Sequence, residues 1–242
     1  SLEELFDAAE TLANSVAATG TRSGESRLAI LTNGGGLGVL ATDALIDAGG
    51  HLAELAPQTI AELNQHLPAT WSHGNPVDII GDAPGTRYRA ATEALLRDPG
   101  SDALLVMHCP VAVADPNEAA QAVIEARAAS ERHQHRPVFA SWVGEQGVRA
   151  ARQLLTRAGL PHYATPEQAV RAFMHLERYR HNQSLLMRVP PSVPESAEPD
   201  TAAVRRIVAA AMAEGREWLN EAESKRVLAA YGIPALQADV VG

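Results

Sequence analysis

The chain has 242 residues, of which 46% are hydrophobic and 20% charged, the composition of an ordinary globular protein. Against 29 Asp and Glu it carries 20 Lys and Arg, a net charge of −9 that argues against a general basic surface for nucleic acid. No apolar run approaches the roughly 18 residues of a membrane span, and one cysteine, Cys109, rules out an internal disulfide and fits a reducing, cytoplasmic compartment.

Residues 3 to 17 place Leu5, Ala8, Leu12, Ala13 and Val16 on one helical face. Because the chain opens without Met and inside this pattern, it is expected to be a piece of a longer protein. The stretch RLAILTNGGGLGVLATD, Arg27 to Asp43, organises the rest of the chain. An apolar run meets Thr32 and Asn33, then Gly34, Gly35, Gly36 and Gly38, and apolar residues return at helical spacing. That predicts a buried strand, a tight glycine turn and a helix with its first turn outward. Glycines there allow positive φ and close approach of a bound group, and the free N–H groups of the first turn attract anions. The alternative is that they let the helix pack closely under the sheet.

His51 to Leu55 predicts a short strand, and Pro57 opens a helix that Pro68 ends. Trp71 to Asp82, WSHGNPVDIIGD, surrounds the strand-like Val77, Ile79 and Ile80 with turn residues. Asn75-Pro76 pre-sets an extended turn, and Asp78 projects from the strand end, either bonding loop amides or facing a ligand. A helix is predicted over Thr86 to Arg97, a fully buried strand over Ala103 to Met107, and a helix over Pro116 to Arg132. A strand over Pro137 to Trp142, a helix through Val148, Ala151 and Leu155, a strand at His162 to Ala164 and a helix from Pro166 complete the alternation. This order implies parallel strands with helices on both faces, a flavodoxin-like three-layer sandwich. In that class ligands bind beyond the C-terminal strand ends, where Asn33, Asp78 and His108 are expected.

Arg188 to Asp200, with Pro190, Pro191, Pro194 and Pro199, reads as a stiff linker. An alanine-rich helix over Thr201 to Ala213 comes next. Asn220 and Glu223 then form a capping-box pattern for a helix to Tyr231, with Gly232 as its stop and a new strand over the last residues. His73 and His108 are candidates for a phosphoacceptor or base; the plainer reading makes His73 a loop residue and His108 a filled strand end. A thiolate pairing of Cys109 with His108 is disfavoured because adjacent strand residues point to opposite faces. The nine histidines are scattered, so no metal site is expected.

TNGGGLGVLATDAL, GNPVDIIGDA, DALLVM and LNEAESKRVLAAYGIP together resemble the ADP-forming (NDP-forming) acyl-CoA synthetases, relatives of succinyl-CoA synthetase. The resemblance implies that residues 1–22 end a preceding ligase-like domain, 23–182 form a flavodoxin-like CoA-ligase domain, 183–213 are linker and helix, and 214–242 begin an ATP-grasp domain. It implies CoA, ATP/ADP and Mg as cofactors of the full-length protein. Its partners would be the CoA-binding and ATP-grasp domains of the same protein, with no nucleic acid or membrane, and a homo-oligomer is left open. The implied reaction couples acyl-CoA to nucleotide phosphorylation through acyl phosphate and a phosphohistidine outside this chain. Two helix N-termini flank the phosphoryl group in the family. Here they correspond to the glycine turn and to the helix opening after Pro110, with Val113, Ala114 and Asp115; Asp115 is expected to cap that helix, since a carboxylate repels phosphate. RYRHNQSLLMRVPP also resembles ligase-like regions fused to GNAT-type lysine acetyltransferases, which makes a metabolite-sensing regulatory module the alternative.

Overall fold

In the computed structural model, residues 9, 11, 26–130, 136–187 and 199–235 are described. The chain divides into two compact units, Ser1–Met187 and Arg188–Gly242. The expected helix over 3 to 17, the start of the linker and the final strand lie largely outside the described residues.

In the first unit, β1 (Arg27–Thr32) leads into α1 (Gly35–Asp47), and β2 (His51–Leu52) into α2 (Pro57–His66). Next come β3 (Val77–Asp78), α3 (Gly85–Arg97), β4 (Ala103–His108), α4 (Pro116–Ser130), β5 (Val138–Trp142), α5 (Arg149–Arg157), β6 (His162–Tyr163) and α6 (Pro166–Leu186). Every described strand pair is parallel, in the order β2-β1-β4-β5-β6, and β3 also pairs with β1. β1 and β4 are buried along nearly their whole length because alternate side chains serve opposite layers. Leu28, Ile30, Leu105 and Met107 pack with α1 and α6; Ala29, Leu31, Leu104 and Val106 pack with α2 to α5. This is the expected flavodoxin-like arrangement. Among the described residues no helix is long and apolar enough to cross a membrane.

Two strands are shorter than the sequence suggested. β2 stops at Leu52, and β3 holds only Val77 and Asp78, because Ile80 turns to φ 69°. Both lie along the same edge of β1: β2 against Arg27 and Leu28, β3 against Leu31 and Thr32. The gap between them is closed by a side chain. Asn75 Oδ1 accepts the Ile30 N–H at 2.9 Å, and Nδ2 donates to Leu28 O and Ala53 O, each at 2.9 Å. The amide thus stands in for missing strand backbone and satisfies groups that would otherwise be orphaned.

α6 packs Ala169, Val170, Phe173 and Leu176 under the sheet and runs on to Leu186 with its last turns exposed. In the second unit, α7 (Thr201–Ala213) is capped by Asp200, whose carboxylate accepts the Ala203 N–H. α8 (Glu221–Ala230) opens with the expected capping box between Asn220 and Glu223 and closes at Gly232 with φ 71°. Arg216 grips both oxygens of Glu223 at 2.8 Å. This bond, with the Asn220 N–H, holds the Glu223 carboxyl down to about 2.

Candidate functional site

The chain passes from β1 to β2 on one side of β1 and later returns to lay β4 on its other side, so the strand order reverses between β1 and β4. A crevice opens beyond the C-terminal ends of strands at such a reversal. Here the β1–α1 turn and the β4–α4 loop meet. Asn33, buried, donates from Nδ2 to Cys109 O at 3.0 Å and accepts the Cys109 N–H on Oδ1 at 2.7 Å. Its amide is committed to clasping the two loops together and is not available to a ligand. At the end of β1 the Gly34 N–H bonds Thr32 Oγ1 at 3.0 Å, and Gly34 O accepts the first helical N–H groups of α1.

Of the two readings of the glycine turn, close packing accounts for most of it. None of Gly34, Gly35, Gly36 and Gly38 has a positive φ. A Cβ at Gly34 would lie 2.9 Å from Cys109 Cβ, one at Gly35 2.9 Å from Asp78 Oδ2, and one at Gly38 3.2 Å from Pro76 Cβ. Close packing explains these three. Gly36 alone has nothing within 4 Å and is exposed, so it is the glycine open to a bound group.

Asp78 reaches the site and Asn75 does not. Asp78 Oδ1 accepts the Ile80 N–H at 2.9 Å, while Oδ2 lies against Gly35 and sets negative charge beside the opening of α1. Asn75 sits farther back along β1 with all its bonds on backbone. Across the crevice, Asp115 Oδ1 accepts the Asn117 N–H at 2.8 Å, and Asp115 O receives the Ala119 N–H, so this residue caps α4. Val113 is 75% exposed beside it and Ala114 is buried. Glu118, also in the first turn of α4, donates nothing; its Oε1 accepts the Gly85 N–H at 3.0 Å and joins the openings of α3 and α4.

Behind the opening of α4 lies an aromatic cluster that spacing alone did not reveal. His108, at 0% exposure, stacks on Trp142 with centroids 5.7 Å apart, and Tyr88 flanks it at 6.0 Å. The Trp142 indole N–H donates to Pro116 O at 3.1 Å, tying the cluster to the first residue of α4. Tyr88 Oη lies 3.2 Å from Met107 O and 3.1 Å from His108 Nδ1. A carbonyl only accepts, so the hydroxyl proton goes to Met107 and Nδ1–H donates to Tyr88; the proton positions are assigned by this network. Nε2 is then a bare acceptor, and it is buried without a partner. Cys109 turns the other way, toward Gly34, so no thiolate–imidazole pair forms. His73 is the loop residue of the plainer reading, with Nε2 3.0 Å from Ala69 O.

Burial pushes the His108 imidazole down to about 4, with Asp115 opposing weakly. The unfolded chain therefore binds more protons between pH 6.5 and 4. The stability tied to neutral His108 is complete above pH 6.5 and is lost as pH falls through that window, by up to about 3 kcal/mol. Urea denaturation at pH 7 and pH 4.5 is expected to show this loss, and His108→Phe, which keeps the stack on Trp142, is expected to reduce it.

The Ligase-CoA domain family matches residues 28–189. The chain is 35% identical over 176 residues to the alpha subunit of acetate–CoA ligase [ADP-forming] I from Pyrococcus furiosus, covering 73% of this chain and 36% of that protein. It is 34% identical over 233 residues to acetate–CoA ligase [ADP-forming] I of Archaeoglobus fulgidus, covering 96% of this chain and 31% of the relative. The chain thus spans about a third of the length of the curated relatives it matches. Among solved structures, the dinucleotide-forming acetyl-coenzyme A synthetase 1 of Ca. Korarchaeum cryptofilum, in complex with phosphate and ADP, superposes with a TM-score of 0.69 at 33% identity. The match covers 78% of this chain and 40% of that one.

Proposed function

Because the chain belongs to the Ligase-CoA domain family, we propose that it is the phosphate-handling part of an ADP-forming acyl-CoA synthetase of the acetate-activating kind. In the complete enzyme an acyl-CoA thioester, phosphate and a nucleoside diphosphate would be interconverted with a carboxylate, CoA and the triphosphate, through acyl phosphate and a phosphohistidine on another segment. Residues 23–182 would be the ligase domain, 183–213 the connection and 214–242 the start of an ATP-grasp domain, with residues 1–22 closing the domain before.

The observation that carries this reading is the clasp of Asn33 on Cys109, which holds the openings of α1 and α4 on one crevice. The opening of α1 then supplies the main first-turn N–H groups for a phosphoryl group, because at α4 Pro116 has no N–H and Asp115 takes those of Asn117 and Ala119. The residues present fit a phosphate better than a metal: among the described residues no group of three or more His, Cys, Asp or Glu is placed to hold an ion. CoA, nucleotide and Mg²⁺ are assigned to other segments of the enzyme.

Val113 supplies a test that leaves the core alone, since its side chain is mostly exposed. Val113→Glu adds a negative charge at the opening of α4 and is expected to weaken phosphate binding severalfold, whereas Val113→Lys preserves or strengthens it. Phosphate titration followed by the backbone amides of residues 113–115, 117 and 118 reads both. Equal affinities in the two variants would move the phosphate site elsewhere.

A further inference from the structure

At the β6 edge of the sheet, α5 and β6 border an open recess of about 330 Å³, lined by Glu145, Arg149, Arg152, Gln153, Thr156 and His162. None of these residues belongs to the crevice between α1 and α4. Arg149 and Arg152 stand one turn apart at the start of α5, so their guanidinium groups share a face and repel each other. The helix dipole opposes both, and the first turn of α5 holds no acid to offset them. Neither has a carboxylate partner among the described residues. Two uncompensated cations placed against a dipole cost stability that a bound anion would return.

The other groups are arranged around this pair. Arg152 donates Nε at 3.0 Å, and also Nη2, to Trp142 O, which fixes the guanidinium plane and leaves Nη1 unbonded. Thr156 Oγ1 lies 3.0 Å from Arg152 O and 2.9 Å from His162 Nε2. A carbonyl only accepts, so the hydroxyl donates to Arg152 O and takes the Nε2–H, and this network assigns Nδ1 as an acceptor. Burial first, and Arg152 second, hold the His162 imidazole below its ordinary range. The ring is therefore neutral at pH 7, and the positive charge of the recess is that of the arginines. Gln153 adds an amide, and Glu145 is the one carboxylate among the lining residues.

We propose that this recess is a second ligand site, which takes the carboxylate or phosphate group of a small organic anion on Arg149 and Arg152. Guanidinium forks match the spacing of paired oxyanion oxygens, whichever of the two groups carries them. The volume falls at the lower end of small-molecule sites and exceeds what a bare ion fills. His162 Nδ1 and Glu145 accept, so the body of the ligand is expected to carry a hydroxyl. The site also reaches the core. The oxygen that holds Arg152 belongs to Trp142, whose indole N–H bonds Pro116 O and whose ring stacks on His108. An anion that draws on Arg152 competes with Trp142 O, so occupancy is relayed to the opening of α4.

The test titrates the chain at pH 7 with malate and, separately, with glycerol 3-phosphate, against sodium chloride at equal ionic strength. It follows the backbone amides of residues 149–153 and the indole N–H of Trp142 by NMR. Saturable shifts of both are expected with at least one probe, and the tighter binder tells carboxylate from phosphate. Arg149→Glu, at an exposed side chain with no bond to lose, is expected to weaken that binding at least about tenfold, and Arg149→Lys to weaken it less. Shifts that sodium chloride reproduces, or unchanged affinity in Arg149→Glu, would overturn the site. A glycerol 3-phosphate response confined to the amides of Gly35 to Gly38 would support the crevice and overturn the recess. If residues 149–153 respond while the Trp142 indole stays still, the relay to α4 is overturned.

Discussion

Asn75→Ala is expected to destabilise the first unit by about 3 kcal/mol, as read by urea denaturation, and to leave phosphate affinity unchanged in the folded fraction. The side chain lies along the β1 edge between the end of β2 and the start of β3, where no strand backbone continues the ladder. Removing it orphans the Ile30 N–H and Ala53 O and takes one of two donors from Leu28 O, which retains the Ala53 N–H. Ile30 is fully buried, so water is a poor substitute. Asn75→Asp is expected to be no better. Its carboxylate still accepts from Ile30 but faces two carbonyl oxygens where the amide had donated. A cost below about 1 kcal/mol for Asn75→Ala, or a loss of phosphate binding without loss of stability, would return Asn75 to the ligand.

The second large effect separates neighbouring glycines. Gly34→Ala is expected to cost about 1 to 3 kcal/mol, because its Cβ would lie 2.9 Å from Cys109 Cβ, and neither atom can rotate away. The strain falls on the Asn33–Cys109 clasp, so the variant should also weaken phosphate binding. Gly36→Ala, two residues further on and open on every side, is expected to change stability by less than about 0.5 kcal/mol. If the two substitutions proved equally harmful, the turn would need glycine for backbone conformation after all. If both were harmless, the loops would not be held at the distance described.

Much of the fold was legible in local pattern. The apolar runs at Leu28 to Leu31 and Ala103 to Met107, the proline and glycine breaks between them and the Asn220–Glu223 capping box each encode their element within a few residues. What failed was where a local signal competes with a distant partner. Ile79 and Ile80 are strand-like residues, but after Asp78 the chain turns away to follow the helix opening, and the edge of β1 is completed by Asn75 instead. The glycines announced a turn correctly, yet their necessity comes from Cys109, Asp78 and Pro76, residues far off in sequence that no spacing connects to them.

The candidate site divides in the same way. Asp115 as a cap could be read from its place before Pro116 and the alanine-rich helix, and Asp78 from its strand end. Asn33 was placed correctly at the strand end, but its engagement with Cys109 depends on the two loops meeting across the sheet. Tyr88 and Trp142 were passed over because each reads as an ordinary helix or strand residue. Only the parallel pairing of β4 with β5, which sets His108 opposite Trp142, brings them to one point. His108 was singled out as a titratable group, and the structure bears out the plainer reading, a buried ring that fills the strand end against Tyr88 and Trp142.

Phosphoryl transfer in the complete enzyme tests the central claim most directly. The full-length protein would be incubated with acetyl-CoA, ADP and ³²P-labelled phosphate, and label followed into ATP and onto protein histidine. The expected result is labelled ATP and a labelled histidine in the wild type, both sharply reduced in Val113→Glu and retained in Val113→Lys, with the folded fraction unchanged. Labelling that proceeds equally in both variants, or a full-length protein that forms neither product, would contradict the assignment of phosphate handling to the crevice between α1 and α4.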